Sequence, residues 1–125
     1  MNLFLRLLLI WVSWASYRHL AADSWNQFRG PNGSGVLEGA CPPIRFDGQA
    51  PTWHQAIPSG HASPVLWGQR LFLTGMEEGI LQTLCLDSRS GRLLWKQQPP
   101  KVTLAFHHKA SSPAASTPCV DEHRV

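Results

Sequence analysis

The sequence predicts an all-β fold, and three observations in its second half support that class. Short apolar runs of five to seven residues alternate with glycine-containing turns between residues 61 and 98, which is typical of strands rather than helices. Pro99-Pro100 ends the last run, because proline has no N–H group to donate to a neighbouring strand. Part of the pattern then begins again before the last residue, which indicates a repeated unit.

Four strands are predicted in this region. We expect them at residues 62–67, 70–74, 80–86 and 92–98, with turns at 68–69 and 87–91 and a loop at 75–79. In the third strand apolar residues fall on both faces, with Gln82 as the polar exception, and this suits a strand packed between neighbours. Four antiparallel strands in about forty residues is the scale of one β-propeller blade.

The turn before the fourth strand has the composition of a hairpin connection. Asp87 opens it, because an aspartate side chain can accept hydrogen bonds from backbone N–H groups just ahead. Gly91 closes it, because glycine adopts positive φ at little cost.

A weak internal repeat extends the prediction to a second blade. Residues 63–71 align with residues 117–125, and Pro64 and Pro118 lie 54 residues apart, as do Arg70 and Arg124. We therefore expect residues 114–125 to form the first strand of a second blade. A propeller closes with about 4–8 blades, so we expect this chain to be the N-terminal part of a longer, partial propeller that is poorly stable alone.

The segment from Cys85 to Trp95 resembles the blade signature of the pyrroloquinoline-quinone-like (PQQ-like) β-propeller repeat family. Asp87, Ser90, Gly91 and Trp95 match that signature position by position. The resemblance covers roughly residues 25–125, and residues 25–33 are similar to the opening of many secreted members. It implies that the tryptophan docks between adjacent blades and that the Asp…Gly turn closes the last hairpin. It does not specify function, because the same fold serves scaffolds and enzymes.

The N-terminal residues have the pattern of a secretory signal, which we assign to residues 1–22. Arg6 precedes eleven uncharged residues, 7–17, too few for the roughly 20 that span a bilayer. Cleavage could follow Ala15 or Ala22, and the alternative is an uncleaved anchor. We therefore expect an exported protein, periplasmic or secreted, with no stable membrane span after cleavage.

The predicted organisation has four further parts. A Gly/Pro-rich segment (23–60) leads into the first blade (61–98), an inter-blade loop follows (99–113), and the second blade begins (114–125). From Asp23 onward the sequence contains nine Lys and Arg residues and eight Asp and Glu residues, so its net charge is close to zero. Basic residues are not clustered with aromatic ones, and we therefore expect no nucleic-acid partner.

Three features could be mistaken for sites of chemistry. The glycines of residues 29–35 favour turns over a phosphate cradle, because the Lys-Ser/Thr ending of such a loop is missing. His107 and His108 are weak ligand candidates, since adjacent residues on an extended chain point in opposite directions. We interpret the three cysteines, at positions 41, 85 and 119, as buried thiols in preference to a bridge.

Two functional hypotheses follow. The first is a non-catalytic interaction or scaffold module of the cell envelope, with a protein partner possible, no catalytic residues and no cofactor. The alternative is the N-terminal part of a PQQ-dependent quinoprotein dehydrogenase, for which the resemblance implies quinone and calcium on the propeller axis, a carboxylate base and a disulfide between adjacent cysteines. The chain has no adjacent cysteine pair and no cluster of acidic and amide residues suited to calcium, so the first hypothesis is favoured.

Overall fold

The computed structural model describes residues 24–39, 44, 51–100, 103–104, 108 and 110–125. The predicted signal segment, Cys41 and His107 lie outside them. The described chain is nearly all-β, as predicted, with a single antiparallel sheet whose strand order follows the sequence. The strands are β1 (Ser24–Trp25), β2 (Val65–Trp67), β3 (Arg70–Glu77), β4 (Ile80–Asp87) and β5 (Leu93–Gln97), and a short 3-10 turn spans Pro31–Gly33.

The central hairpin is longer than predicted. Strand β3 continues to Glu77, so the predicted loop at 75–79 is wrong, and only two residues connect β3 to β4. These residues, Glu78 and Gly79, have φ values of 51° and 79°. Two successive residues with positive φ make the tight turn whose twist matches that of the flanking strands. The glycine was recognised in the sequence, but the preceding glutamate gives no signal for this conformation.

A fifth strand, β1, was not predicted. Its two residues pair with β2, with Ser24 opposite Trp67 and Trp25 opposite Leu66. The Trp25 ring lies over Gly30, where a Cβ atom would come within 2.4 Å of the ring. Gly30 also has a φ of 67°, so both the backbone conformation and the contact require glycine. The Gly/Pro-rich segment therefore contributes a strand through a local Trp–Gly contact rather than through an alternating pattern.

Apolar side chains cover both faces of the sheet. On one face, here called face A, Val65, Phe72 and Cys85 lie side by side on β2, β3 and β4, and Trp95 lies opposite Cys85 on β5. The other face, face B, carries a second cluster formed by Leu71, Leu73, Leu84 and Leu86. Because side chains alternate along a strand, β4 contributes to both clusters, as the two-sided apolar pattern predicted.

The C-terminal segment, residues 110–125, covers face A. Val120 is buried in the face A cluster together with Val65 and Phe72. The His61 N–H donates to the Ala114 carbonyl at 3.0 Å, and the Val120 N–H donates to the Asn26 carbonyl at 2.9 Å. The structure assigns no strand to the segment, and its predicted membership of a second blade stays a prediction.

A second irregular segment, residues 53–60, covers face B, and it is called the cover segment below. The Trp53 indole Nε1–H donates to the Ser88 carbonyl at 3.0 Å, and the Met76 N–H donates to the Ser59 carbonyl at 2.7 Å. Pro58 packs on Gly75, where a Cβ atom would lie 2.9 Å from the proline. The described chain thus forms three layers, with the sheet between two irregular segments.

We expect Gly91→Ala to destabilise the fold more than Gly68→Ala. Both glycines have positive φ, 71° and 57°, and alanine there costs about 1–2 kcal/mol. At Gly91 the added methyl would also lie 2.4 Å from the Trp53 ring, whereas nothing lies within 4 Å of the Cβ position at Gly68. Urea unfolding of both variants measures the difference, and equal losses of unfolding free energy would show that the Trp53 contact contributes nothing.

Candidate interaction surface

The Asp87 turn is held together by its own side chains. The Asp87 carboxylate oxygen Oδ1 accepts three hydrogen bonds, from the Arg89 N–H at 3.1 Å, the Ser90 N–H at 2.8 Å and the Ser90 hydroxyl at 2.8 Å. The Gly91 N–H then donates to the Asp87 carbonyl at 2.8 Å. These bonds order the connection between β4 and β5, so two of the four signature residues have a local structural task.

The other two signature residues contact aromatic rings. Gly91 lies beneath the Trp53 indole. Trp95 is half-buried on face A, and its ring centroid lies 5.9 Å from that of Phe72 with the planes tilted by 55°. This is a favourable aromatic geometry. The structure therefore does not bring the four residues together around one cavity; they connect a turn to both covering layers.

Hydrogen bonding lowers the pKa of the Asp87 carboxyl group. The Ser90 hydroxyl has the largest effect, followed by the Ser90 N–H, and the Arg89 N–H and the Arg92 charge act in the same direction, while desolvation opposes them. All of the lowering interactions stabilise the ionised carboxylate. The turn is therefore strongest when Asp87 is ionised.

The histidine pair is represented by His108 alone in the described chain. Its side chain is exposed, and its Nδ1 atom accepts a hydrogen bond from the Ala110 N–H at 3.1 Å. No group of three His, Cys, Asp or Glu residues that could hold a metal ion occurs among the residues described. His108 thus stabilises a local turn.

The glycine-rich loop at residues 29–35 uses its own N–H groups internally. The N–H groups of Gly30, Gly33, Ser34 and Gly35 all donate to carbonyl groups between residues 27 and 31. A phosphate cradle needs such donors pointing outward. The loop is a sequence of turns, the interpretation that its composition favoured.

The two described cysteines have opposite environments, and both are free thiols. Cys85 is fully buried in the face A cluster, and burial raises its pKa although the nearby Arg70 charge acts to lower it. Cys119 is exposed, so the prediction of a buried thiol is wrong there. The alternation of the C-terminal segment places Val120, not Cys119, against the sheet.

Each face of the sheet has a cleft beside its covering segment. The larger cleft, about 320 Å³, lies on face A between residues 113–116 and side chains of β3, β4 and β5. The smaller, about 170 Å³, is called the face B cleft. It lies between the cover segment and β5, and its lining includes Ile57, Pro58, Glu77, Gln82, Leu84, Leu86, Leu93 and Lys96.

Gln82 is the buried polar residue of the face B cleft. Its side chain is 4% exposed, and its Nε2–H group donates to Glu77 Oε2 at 3.4 Å. Its Oε1 atom is buried and has no hydrogen-bond partner within the described chain. A buried acceptor without a partner costs about 1–3 kcal/mol. In the sequence this residue appeared only as a polar exception in an apolar strand, which is the signal that could have identified the cleft.

Large apolar side chains remain exposed around β5 and the cover segment. Ile57 is 47% exposed, Leu93 41% and Leu94 37%. Strand β5 is the last strand of the sheet, and its pairing with β4 shifts register between Cys85 and Leu86. Apolar side chains around a cleft, next to a sheet edge, are a typical setting for contact with another protein.

No protein-family model matches the chain, and comparison with curated proteins and solved structures finds no similar protein. The PQQ-like resemblance therefore stays a prediction. Within the described residues, none of the helical structure is long and apolar enough to cross a bilayer.

We expect Ser90→Ala to raise the pKa of Asp87 and to reduce stability above that pKa. The folded-state pKa is lowered, so the stabilisation exists above the unfolded-state value near 4 and is lost as pH falls through the folded-state value. Carboxyl NMR titration measures the pKa, and urea unfolding between pH 7 and pH 2 measures the stability. Arg92→Ala, which removes the smallest effect, should change the pKa less; an equal or larger change would contradict this assignment.

Proposed function

We propose that the protein is an exported, non-catalytic interaction or scaffold module built from stacked β-sheets of the PQQ-like propeller type. The observation that carries the proposal is the way the second repeat copy lies on the first. The Ser63 N–H donates to Thr117 Oγ1 at 3.1 Å, and these residues occupy equivalent positions of the two copies. Equivalent residues of neighbouring units come close together when each unit is related to the next by a rotation about a common axis, as the blades of a propeller are.

The burial of the second copy supports the same arrangement. At the 54-residue offset, Val120 is equivalent to Leu66 and Cys119 is equivalent to Val65. Leu66 pairs with Leu71 of the face B cluster, whereas Val65 belongs to face A. Val120 packs onto face A of the first unit and Cys119 is exposed. A second sheet would therefore place its face B on face A of the first, with Cys119 directed towards a third layer.

The acidic side chains that make contacts have structural tasks. Asp87 accepts backbone N–H groups in its own turn, and Asp121 Oδ1 does the same for His123 and Arg124 at 2.7 and 2.9 Å. Glu77 forms an ion pair with Lys96 at 3.6 Å. The exposed apolar residues near β5 offer contact area instead. This distribution favours a module that binds proteins over one that performs acid–base chemistry, and the predicted signal segment supports the proposal that the module is exported.

Completing the second unit tests the proposal. Since Val125 is equivalent to Leu71, we would append a copy of residues 72–125 after Val125, with the copies of Cys85 and Cys119 replaced by valine. We expect slower labelling of Cys119 by a thiol reagent, because the copied C-terminal segment would cover it as Val120 covers Val65 in the first unit. We also expect unfolding free energy to rise by at least about 1.5–3 kcal/mol, the effect of burying one aliphatic side chain.

A chain with the same appended residues in shuffled order is the control. Mass spectrometry of the labelled peptides separates Cys119 from Cys41 and Cys85. If Cys119 reacts equally fast with the copied and the shuffled extension, the stacked-sheet arrangement is wrong and the scaffold proposal loses its support.

The dehydrogenase alternative stays a prediction, and the described residues do not fit calcium. The Asp87 and Asp121 carboxylates are engaged by their own turns and Glu77 by Lys96, whereas calcium takes about 6–8 oxygen ligands. We expect no saturable binding of calcium and quinone by this chain in an absorbance and calorimetric titration. Stoichiometric quinone binding that depends on calcium would favour the dehydrogenase.

A further inference from the structure

We propose that the face B cleft binds the tryptophan side chain of a protein partner. The inference rests on the cleft alone and does not depend on the stacked-sheet arrangement. Its basis is the combination of apolar walls with a single buried acceptor.

The walls of the cleft suit a flat apolar group. Leu84 and Leu86 of β4 form its floor and are 3% and 2% exposed, while Leu93 of β5 and Ile57 of the cover segment are exposed at its margins. Its volume of about 170 Å³ is below the roughly 300–1,000 Å³ of drug-sized ligand pockets. The cleft therefore suits one inserted side chain.

Charge at the cleft is already balanced. Lys96 and Glu77 lie at its rim, and their Nζ and Oε2 atoms are 3.6 Å apart. A charged occupant would have to compete with one member of this pair and repel the other, so a neutral group is favoured.

The acceptor is Gln82 Oε1. Gln82 also borders the face A cleft, but strand alternation and its bond to Glu77 place its side chain on face B. A carboxylate only accepts hydrogen bonds, so the amide NH₂ group must face Glu77. The carbonyl oxygen is thereby left without a partner among the described residues.

The matching occupant is an apolar group with one donor and no acceptor. Tryptophan is the side chain with that combination, because its indole carries an N–H donor on a large apolar ring. Hydroxyl and amide side chains would bring acceptor atoms that themselves need partners in the cleft, and lysine would bring a charge next to Lys96. Hydrogen-bond complementarity therefore selects indole.

The cover segment is held in a way that allows access. It is hydrogen-bonded to the rest of the described chain through Trp53 and Ser59. Between these two positions, residues 54–58 make no hydrogen bond to the sheet within the described chain, and the Gln55 amide donates to its own neighbour Ala56. Ile57 is 47% exposed, so its outward shift would widen the cleft towards Gln82 without breaking a hydrogen bond to the sheet and with the Pro58 contact on Gly75 retained.

The first test compares two probes on the full 125-residue chain. We would titrate N-acetyl-tryptophanamide and its indole-N-methyl derivative, followed by NMR. We expect the first probe to shift the Gln82 side-chain amide and Leu93 methyl signals, and the methylated probe to bind about three- to tenfold more weakly, the effect of one neutral hydrogen bond. Equal affinity of the two probes, or shifts confined to the face A cleft, would overturn the proposal.

A variant pair gives the second test. Gln82→Met keeps the length of the side chain and removes the acceptor, so it should abolish the difference between the probes. Gln97→Met makes the same change at an exposed position of β5 on face A, and it should leave the difference intact. An unchanged preference for the N–H probe in Gln82→Met would overturn the assignment of the acceptor. If that variant does not fold, the two probes on the unaltered chain decide the question.

Discussion

Strand β4 determines the arrangement of this fold, because it is apolar on both sides. Cys85 faces the cluster on face A, and Leu84 and Leu86 face the cluster on face B. A sheet with one apolar face needs one covering layer, whereas this sheet needs two. The irregular segments before and after the strands supply them. Their positions follow from the chemistry of β4 rather than from any regular structure of their own.

The covering layers are held by a few specific contacts. On face B, the Trp53 indole lies on Gly91 and donates to Ser88, and Pro58 lies on Gly75. On face A, Thr74 Oγ1 donates to the Ser116 carbonyl at 2.8 Å, and Val120 fills the space beside Val65. On face B glycine is required where the cover segment comes closest, because a Cβ atom would collide with the Trp53 ring or with Pro58. Packing at glycine thus adds to the few hydrogen bonds, such as that from the Met76 N–H to the Ser59 carbonyl, that attach this layer.

The sequence predicted the local features and missed those that depend on distant residues. The Asp87 turn and the two-sided pattern of β4 are encoded within a few neighbouring residues, through side-chain capping and alternation. Strand β1 exists because Trp25 packs on Gly30 and pairs with Leu66 of β2, which follows it by 41 residues in the sequence. The burial of Val120 instead of Cys119 depends on which side of an irregular segment meets the sheet. In the candidate site, the sequence showed Gln82 as a polar residue in an apolar strand. It did not show that the Gln82 amide N–H donates to Glu77 across the hairpin, which leaves the amide oxygen without a partner among the described residues.

Gln82 also connects the architecture with recognition. A leucine at this position would complete the apolar surface of face B and remove the cost of a buried acceptor without a partner. The glutamine instead gives the cleft one directional requirement within an otherwise apolar surface. Apolar surface contributes to binding without distinguishing between partners. A buried hydrogen-bond acceptor, in contrast, disfavours every partner group that cannot donate a hydrogen bond to it. The residue that weakens the isolated sheet is therefore the one best placed to make its contacts selective.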